Sequence, residues 1–192
     1  THPFQPRKPL ESSGFTLILT MVDRWKADAS LREVAECWRD VGHRLNRVVD
    51  GQLARPSMTD EAKVPLLVRK AMLFNSEAEP ENAYEVLTQA RTLAERNKAV
   101  RDAWLYSLVY FQGISALRLG ENQNCIQCLG ESSCILPISE AAQHTNRAGS
   151  TAAVGFFTEL LEKFPDDLEA KWLLNIAHMT LGEYPAKVDP RF

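Results

Sequence analysis

VPLLVRKAMLFNSEAEPENAYEVLTQARTLAERN, residues 64–97, carries two apolar stripes separated by a break of four residues. Val64, Leu67, Val68, Ala71, Met72 and Phe74 recur at three- and four-residue spacing, the period of a helix face. Ser76 to Glu79 interrupts the pattern, and Pro80, whose ring presets a helical φ, opens a second stripe of Ala83, Val86, Leu87, Ala90, Leu93 and Ala94. Two amphipathic helices joined by so short a break must fold back on each other, so the stretch predicts a helical hairpin. Upstream, Pro56, Ser57 and Thr59 supply a start signal that extends the first helix back to Asp60, with Pro65 expected in its first turn.

The same pattern continues on both sides. Residues 1–13 hold prolines at 3, 6 and 9 and read as an extended Pro-rich arm, with Ser12 or Ser13 able to cap a short helix over residues 15–25. Ser30 and Glu33 form a capping-box pattern ahead of a helix expected to run to Gly51, its apolar face being Leu31, Val34, Ala35, Trp38, Val41, Leu45, Val48 and Val49. Cys37 and His43 lie one position off that stripe and are read as packing or surface residues. Downstream, residues 98–119 form the most apolar helix, followed by a break at 120–149, a helix over 151–164 and another over 166–181. No strand-like alternation with turn signals occurs, so the expectation is an all-α fold: a single domain over residues 14–192 with an insertion at 120–149.

Helical hairpins in series call for a test of period. With Val64 at position 1, the 34-residue tetratricopeptide pattern places Leu67, Ala71, Phe74, Ala78, Ala83, Leu87 and Ala90 at its large, small, aromatic and turn positions. Counting back from Pro165 gives the second half of another repeat through Ala153, Phe157 and Leu160, whose first half lies upstream at Val109, Gly113, Ala116 and Gly120. The cysteine-rich stretch is therefore expected to interrupt one hairpin. A further first helix follows, with Leu174, Asn175, His178 and Gly182 in register. The fold class is thus a tetratricopeptide-like solenoid with a Cys-containing loop insertion.

Composition narrows function mainly by exclusion. The 22 basic and 25 acidic residues are well mixed, and a net charge of -3 offers no footprint for nucleic acid. The longest uncharged helical run, residues 103–117, is too short and too polar for membrane insertion. The opening THPFQPRKP, without Met, reads as a processed or excised chain. Cys125, Cys128 and Cys134 cluster in the break, which suggests either a disulfide or a metal site. With His144 they would supply four ligands of zinc type, Cys125 and Cys128 at C-x-x-C spacing, although the later spacings are unlike those of zinc modules. Leu129 stands where covalent haem attachment needs a histidine, and no orienting residue or oxyanion site accompanies any cysteine and His144, so neither a cofactor nor an enzyme activity is expected.

The phrases LGENQNCI, SSCILPI, QHTNRAG and FPDDLEAKWLLNIAHMTLGEYPAKVDPRF, over residues 117–192, resemble the tetratricopeptide region that precedes the FG-GAP (VCBS) propeller in bacterial proteins of the ASPIC/UnbV type. The resemblance implies an exported protein, periplasmic or at the cell surface. It also implies that Cys125 and Cys134, which match the family's cysteines, pair as a disulfide closing a ten-residue ring, worth about 3 kcal/mol by chain entropy. The combined expectation is a non-enzymatic protein–protein interaction scaffold. Its groove would include Trp104, Tyr106, Tyr110, Asn175 and His178, and its partner would be a peptide segment, the propeller or a neighbouring subunit in a homo- or hetero-oligomer. Two alternatives stand beside it: a structural subunit of a surface fibre or membrane-associated assembly, docked through its Pro-rich ends, and a Cys/His metal-binding module.

Overall fold

The computed structural model describes residues 15–124 and 136–192. Every regular element among them is helical, as expected, and no strand occurs among the described residues. No helix among them is long and apolar enough to cross a membrane. The Pro-rich arm and Cys125, Cys128 and Cys134 lie outside the described residues. The described residues group into two compact units, one of residues 15–102 and one of residues 103–124 and 136–192.

In the first unit, α1 spans only Phe15–Leu19 and closes in a turn where the Thr20 and Met21 amides bond the Leu17 and Ile18 carbonyls. The single helix expected from Ser30 to Gly51 is two helices, α2 (Leu31–Trp38) and α3 (Val41–Leu53). Ser30 forms the capping box, accepting from Glu33 N while Glu33 accepts from Ser30 N at 2.8 Å. The break falls at Asp40, which takes a left-handed φ of 52°. It resets the helical phase, so the stripe read as continuous is not one face. Leu31 is 90% and Val48 52% exposed, whereas Val41 and Val49 join Ile18 and Leu73 in a core.

Helix α4 (Asp60–Ser76) is capped by Thr59, whose hydroxyl accepts from Ala62 N at 3.3 Å. Pro65 lies a turn deeper than expected, where its missing N–H removes one helical bond. Burial of Val64, Leu67, Val68, Ala71 and Met72 outweighs that loss. Helix α5 (Pro80–Glu95) packs along α4 through Ala83, Leu87, Ala90 and Ala94, as read from the sequence. The corner between them turns at Ala78, with φ 60°, and is closed by Glu79 N–H donating to Phe74 O at 2.9 Å.

Helix α6 (Lys98–Asn124) enters the second unit at Ala103 and runs past Gly120, which was expected to end it. Helix α7 (Ala148–Lys163) begins before Thr151, so α6 and α7 between them claim residues on both sides of the expected insertion at 120–149. Gly120 continues the helix because it serves a close crossing. A Cβ on Gly149 would lie 2.5 Å from Gly120 N and 2.6 Å from Ala116 O, so the two backbones touch. Nearby, the Phe157 ring fills the space over Gly113, where a Cβ would meet it at 2.6 Å. Phe157 is fully buried, and truncating such a ring costs about 3–5 kcal/mol. Helix α8 (Leu168–Thr180) packs on α7 and is capped by Asp167, which accepts from Glu169 N at 3.1 Å and Ala170 N at 3.0 Å. Its end turns at Gly182, φ 67°, where Glu183 N–H donates to His178 O at 2.9 Å.

Candidate functional site

The residues expected to line a groove lie on α6 and α8, and several are already engaged. Tyr106 and Tyr110, one turn apart, stack with ring centroids 6.1 Å apart, and the Phe164 ring meets Tyr106 edge-on at 5.0 Å. Both tyrosines donate to the start of α8, Tyr106 to Asp167 Oδ2 and Tyr110 to Glu169 Oε1. Tyr110 is buried, and Tyr106 and Trp104 are half-buried. Asn175 turns its amide to its own helix, donating to Lys171 O at 2.8 Å. His178 is buried, with Nδ1 3.3 Å from Glu183 Oε2. Glu183 also takes Lys187 at 2.9 Å and Arg147 at 2.7 Å; the Lys187 bond above all, helped by His178 and Arg147, holds its carboxyl below the usual range.

What α8 presents outward is different. Leu168 is 77% and Trp172 56% exposed, one turn apart, and Ile176 continues the line half-buried. Reading the sequence had singled out none of them. They fall beside the stripe of Ala170, Leu174, Ala177 and Leu181, which is the buried one, and their four-residue spacing was the available signal.

The flanks of the cysteine-bearing stretch are clamped together. Asn124 Oδ1 accepts from Asn146 N at 2.9 Å and from Thr145 Oγ1 at 3.3 Å, while its amide donates to Asn146 O at 2.9 Å. His144 sits against the end of α8, its amide donating to Thr180 O at 2.8 Å. Its Nδ1 lies 2.8 Å from Ser150 Oγ, and Thr180 Oγ1 lies 2.8 Å from the same oxygen. Burial holds the His144 pKa down, so the neutral ring suits a role as acceptor for the Ser150 hydroxyl. The pair has the make-up of a nucleophile and base, yet both side chains are buried against Gly120. Of the four zinc-type ligands considered, His144 alone is described.

A second cluster, in the first unit, joins residues far apart in sequence. Gly42, in the first turn of α3, donates its N–H to Glu77 Oε1 at 2.5 Å, and a Cβ there would meet Glu77 Cγ at 2.6 Å. That contact places the α4–α5 corner beside His43. The His43 Nε2 is 2.9 Å from Glu79 Oε1, and Nδ1 faces Glu77 Oε2 at 3.7 Å and Asp40 Oδ1 at 3.8 Å. The Glu79 hydrogen bond, aided by the charges of Glu79, Glu77 and Asp40, raises the His43 pKa. Glu79 is held below its usual value by the Asn82 bond first and by His43 as well. Periodicity marked His43 only as off the stripe, because nothing local signals that Glu77 and Glu79 fold back to it.

No protein-family model, curated protein or solved structure matches this chain.

Proposed function

We propose that the chain is a tetratricopeptide-like scaffold that binds protein partners without catalysing a reaction, and that it works outside the cytoplasm, in the periplasm or at the cell surface. The observation that carries the binding half is the outer face of α8: two large apolar side chains, Leu168 and Trp172, held open to solvent one turn apart on a helix capped and braced from α6. Exposed apolar side chains that adjoin on a rigid element suit a protein contact.

Two observations support the repeat reading. Ala78 and Gly182 fall at the same repeat position, and both take left-handed φ. The next residue in each case is a glutamate whose amide bonds back to the carbonyl five residues earlier, on Phe74 or His178. The location rests on the resemblance to ASPIC/UnbV-type proteins, as does the pairing of Cys125 with Cys134.

A photo-reactive phenylalanine analogue at position 172, in the cell that makes the protein, tests the reading. It should give a discrete protein adduct that the same analogue at Lys98, whose side chain is 82% exposed, does not give. An adduct of two copies of this chain would make the partner a neighbouring subunit. No adduct at 172, or the same products at both positions, would overturn the proposal.

A further inference from the structure

We propose that Asp40, His43 and Glu77 form a binding site for a divalent first-row cation of nitrogen and oxygen preference, of the manganese class, with Glu79 as a positioning residue. The donor atoms of the three residues lie within 4.8 Å of one another. Asp40 comes from the α2–α3 break, His43 from the first turn of α3 and Glu77 from the α4–α5 corner, so the fold itself assembles the set.

The imidazole is oriented for a ligand. Glu79 Oε1, 2.9 Å from Nε2, accepts the proton that Nε2 carries in one tautomer and leaves the Nδ1 lone pair directed at the two remaining carboxylates. A carboxylate on the far nitrogen of a metal-bound histidine is the usual means of setting its tautomer and raising its basicity. Glu77 divides its oxygens in a matching way: Oε1 is fixed by the Gly42 amide, and Oε2 faces Nδ1 at 3.7 Å. The Nδ1 separations of 3.7 and 3.8 Å are too long for hydrogen bonds. Bonds of about 2.1 Å to a shared cation place donors about 3.0–3.5 Å apart, a contraction that needs the exposed Asp40 side chain and the His43 ring, 35% exposed, to move in together.

Charge supports the same conclusion. Among the described residues, no Lys or Arg lies within 4 Å of the carboxylates of Asp40, Glu77 or Glu79. Three carboxylates against at most one imidazolium leave an excess of about two negative charges at neutral pH, which a divalent cation offsets. Two carboxylates and an imidazole suit manganese, whereas soft metals prefer the thiols elsewhere in the chain. Binding leaves the Nε2 proton on Glu79's side and displaces any proton from Nδ1.

The test is proton NMR of the whole chain titrated with manganese chloride. Paramagnetic broadening should remove the His43 ring signals at substoichiometric metal, before those of the other three of the chain's four histidines. Asp40→Asn, which tolerates the left-handed backbone, and Glu77→Gln should each raise the metal concentration for half-broadening at least tenfold. Glu79→Gln should raise it about tenfold through lost orientation. Circular dichroism matching the parent confirms that each variant is folded. The proposal is overturned if His43 broadens no earlier than the other histidines, or if folded Asp40→Asn and Glu77→Gln leave the titration unchanged.

Discussion

His43 and His144 are the same residue in two regions built on opposite principles. His43 stands partly in solvent at a helix start, ringed by Asp40, Glu77 and Glu79 and held by charge. His144 is buried beside a close helix crossing, and its Nδ1 meets a neutral hydroxyl. The first environment favours the imidazolium and raises the pKa; the second penalises it and lowers the pKa. Two glycines repeat the contrast. Gly42 admits a flexible carboxylate to the backbone, whereas Gly149 admits another backbone. One region can adjust to change and the other cannot.

The most forceful way to break this contrast is to add a methyl group to each glycine. Gly149→Ala should destabilise the chain by about 3 kcal/mol in urea unfolding, because backbone at 2.5 Å cannot retreat. Gly42→Ala should cost about 1 kcal/mol, since Glu77 can swing aside. Equal costs would show that the two sites do not differ in rigidity. Between those two in size is Ser150→Ala, which takes from the buried His144 nitrogen the hydroxyl it meets while Thr180 keeps its bond to Ala177 O, and which should cost about 2 kcal/mol. A loss below about 0.5 kcal/mol would remove the buried network from the account.

The smallest effect concerns pH. His144 has a lowered folded pKa, so its contribution is complete above the unfolded value near 6.5 and is lost as pH falls towards the folded value. His43 has a raised folded pKa, so its contribution is complete below about 6.5 and is lost as pH rises through the folded value. In metal-free buffer, His43→Gln should cost less than about 1 kcal/mol at acid pH and nearly nothing at pH 9. Stability of that variant should therefore fall more steeply than the parent's on acidification from pH 7 to 5. A shallower slope than the parent's would reverse the assignment of the two histidines.

Much of the helical layout was legible because its causes are local. The Ser30–Glu33 box, the Thr59 cap and Pro80 at a helix start all act within a few residues, and each stands where the sequence placed it. The α4 and α5 faces were legible for the same reason: Val64, Leu67, Val68, Ala71, Met72, Ala83, Val86, Leu87, Ala90 and Ala94 are all buried, although Phe74 and Leu93 are half-buried and Leu73, off the expected stripe, is fully buried. The misreadings share a different cause. Leu31 and Val48 were assigned to one buried face because the left-handed turn at Asp40 leaves no mark in the apolar period. Gly120 was read as a helix end because the repeat register closes a first helix there, yet here it stays helical and makes room for Gly149. Tyr110 and His178, both named for a groove, are buried, which no local pattern indicates.

The sequence by itself determined that the chain is helical, where most helices begin, and that residues 60–95 fold into a hairpin, since propensity, caps and period report on neighbours along the chain. Tertiary structure decided which histidine is buried, which glycine touches backbone, and that Glu77 and Glu79 meet a helix start some 35 positions away. Those outcomes depend on side chains that become neighbours only when helices pack, and on charges whose partners no local pattern identifies.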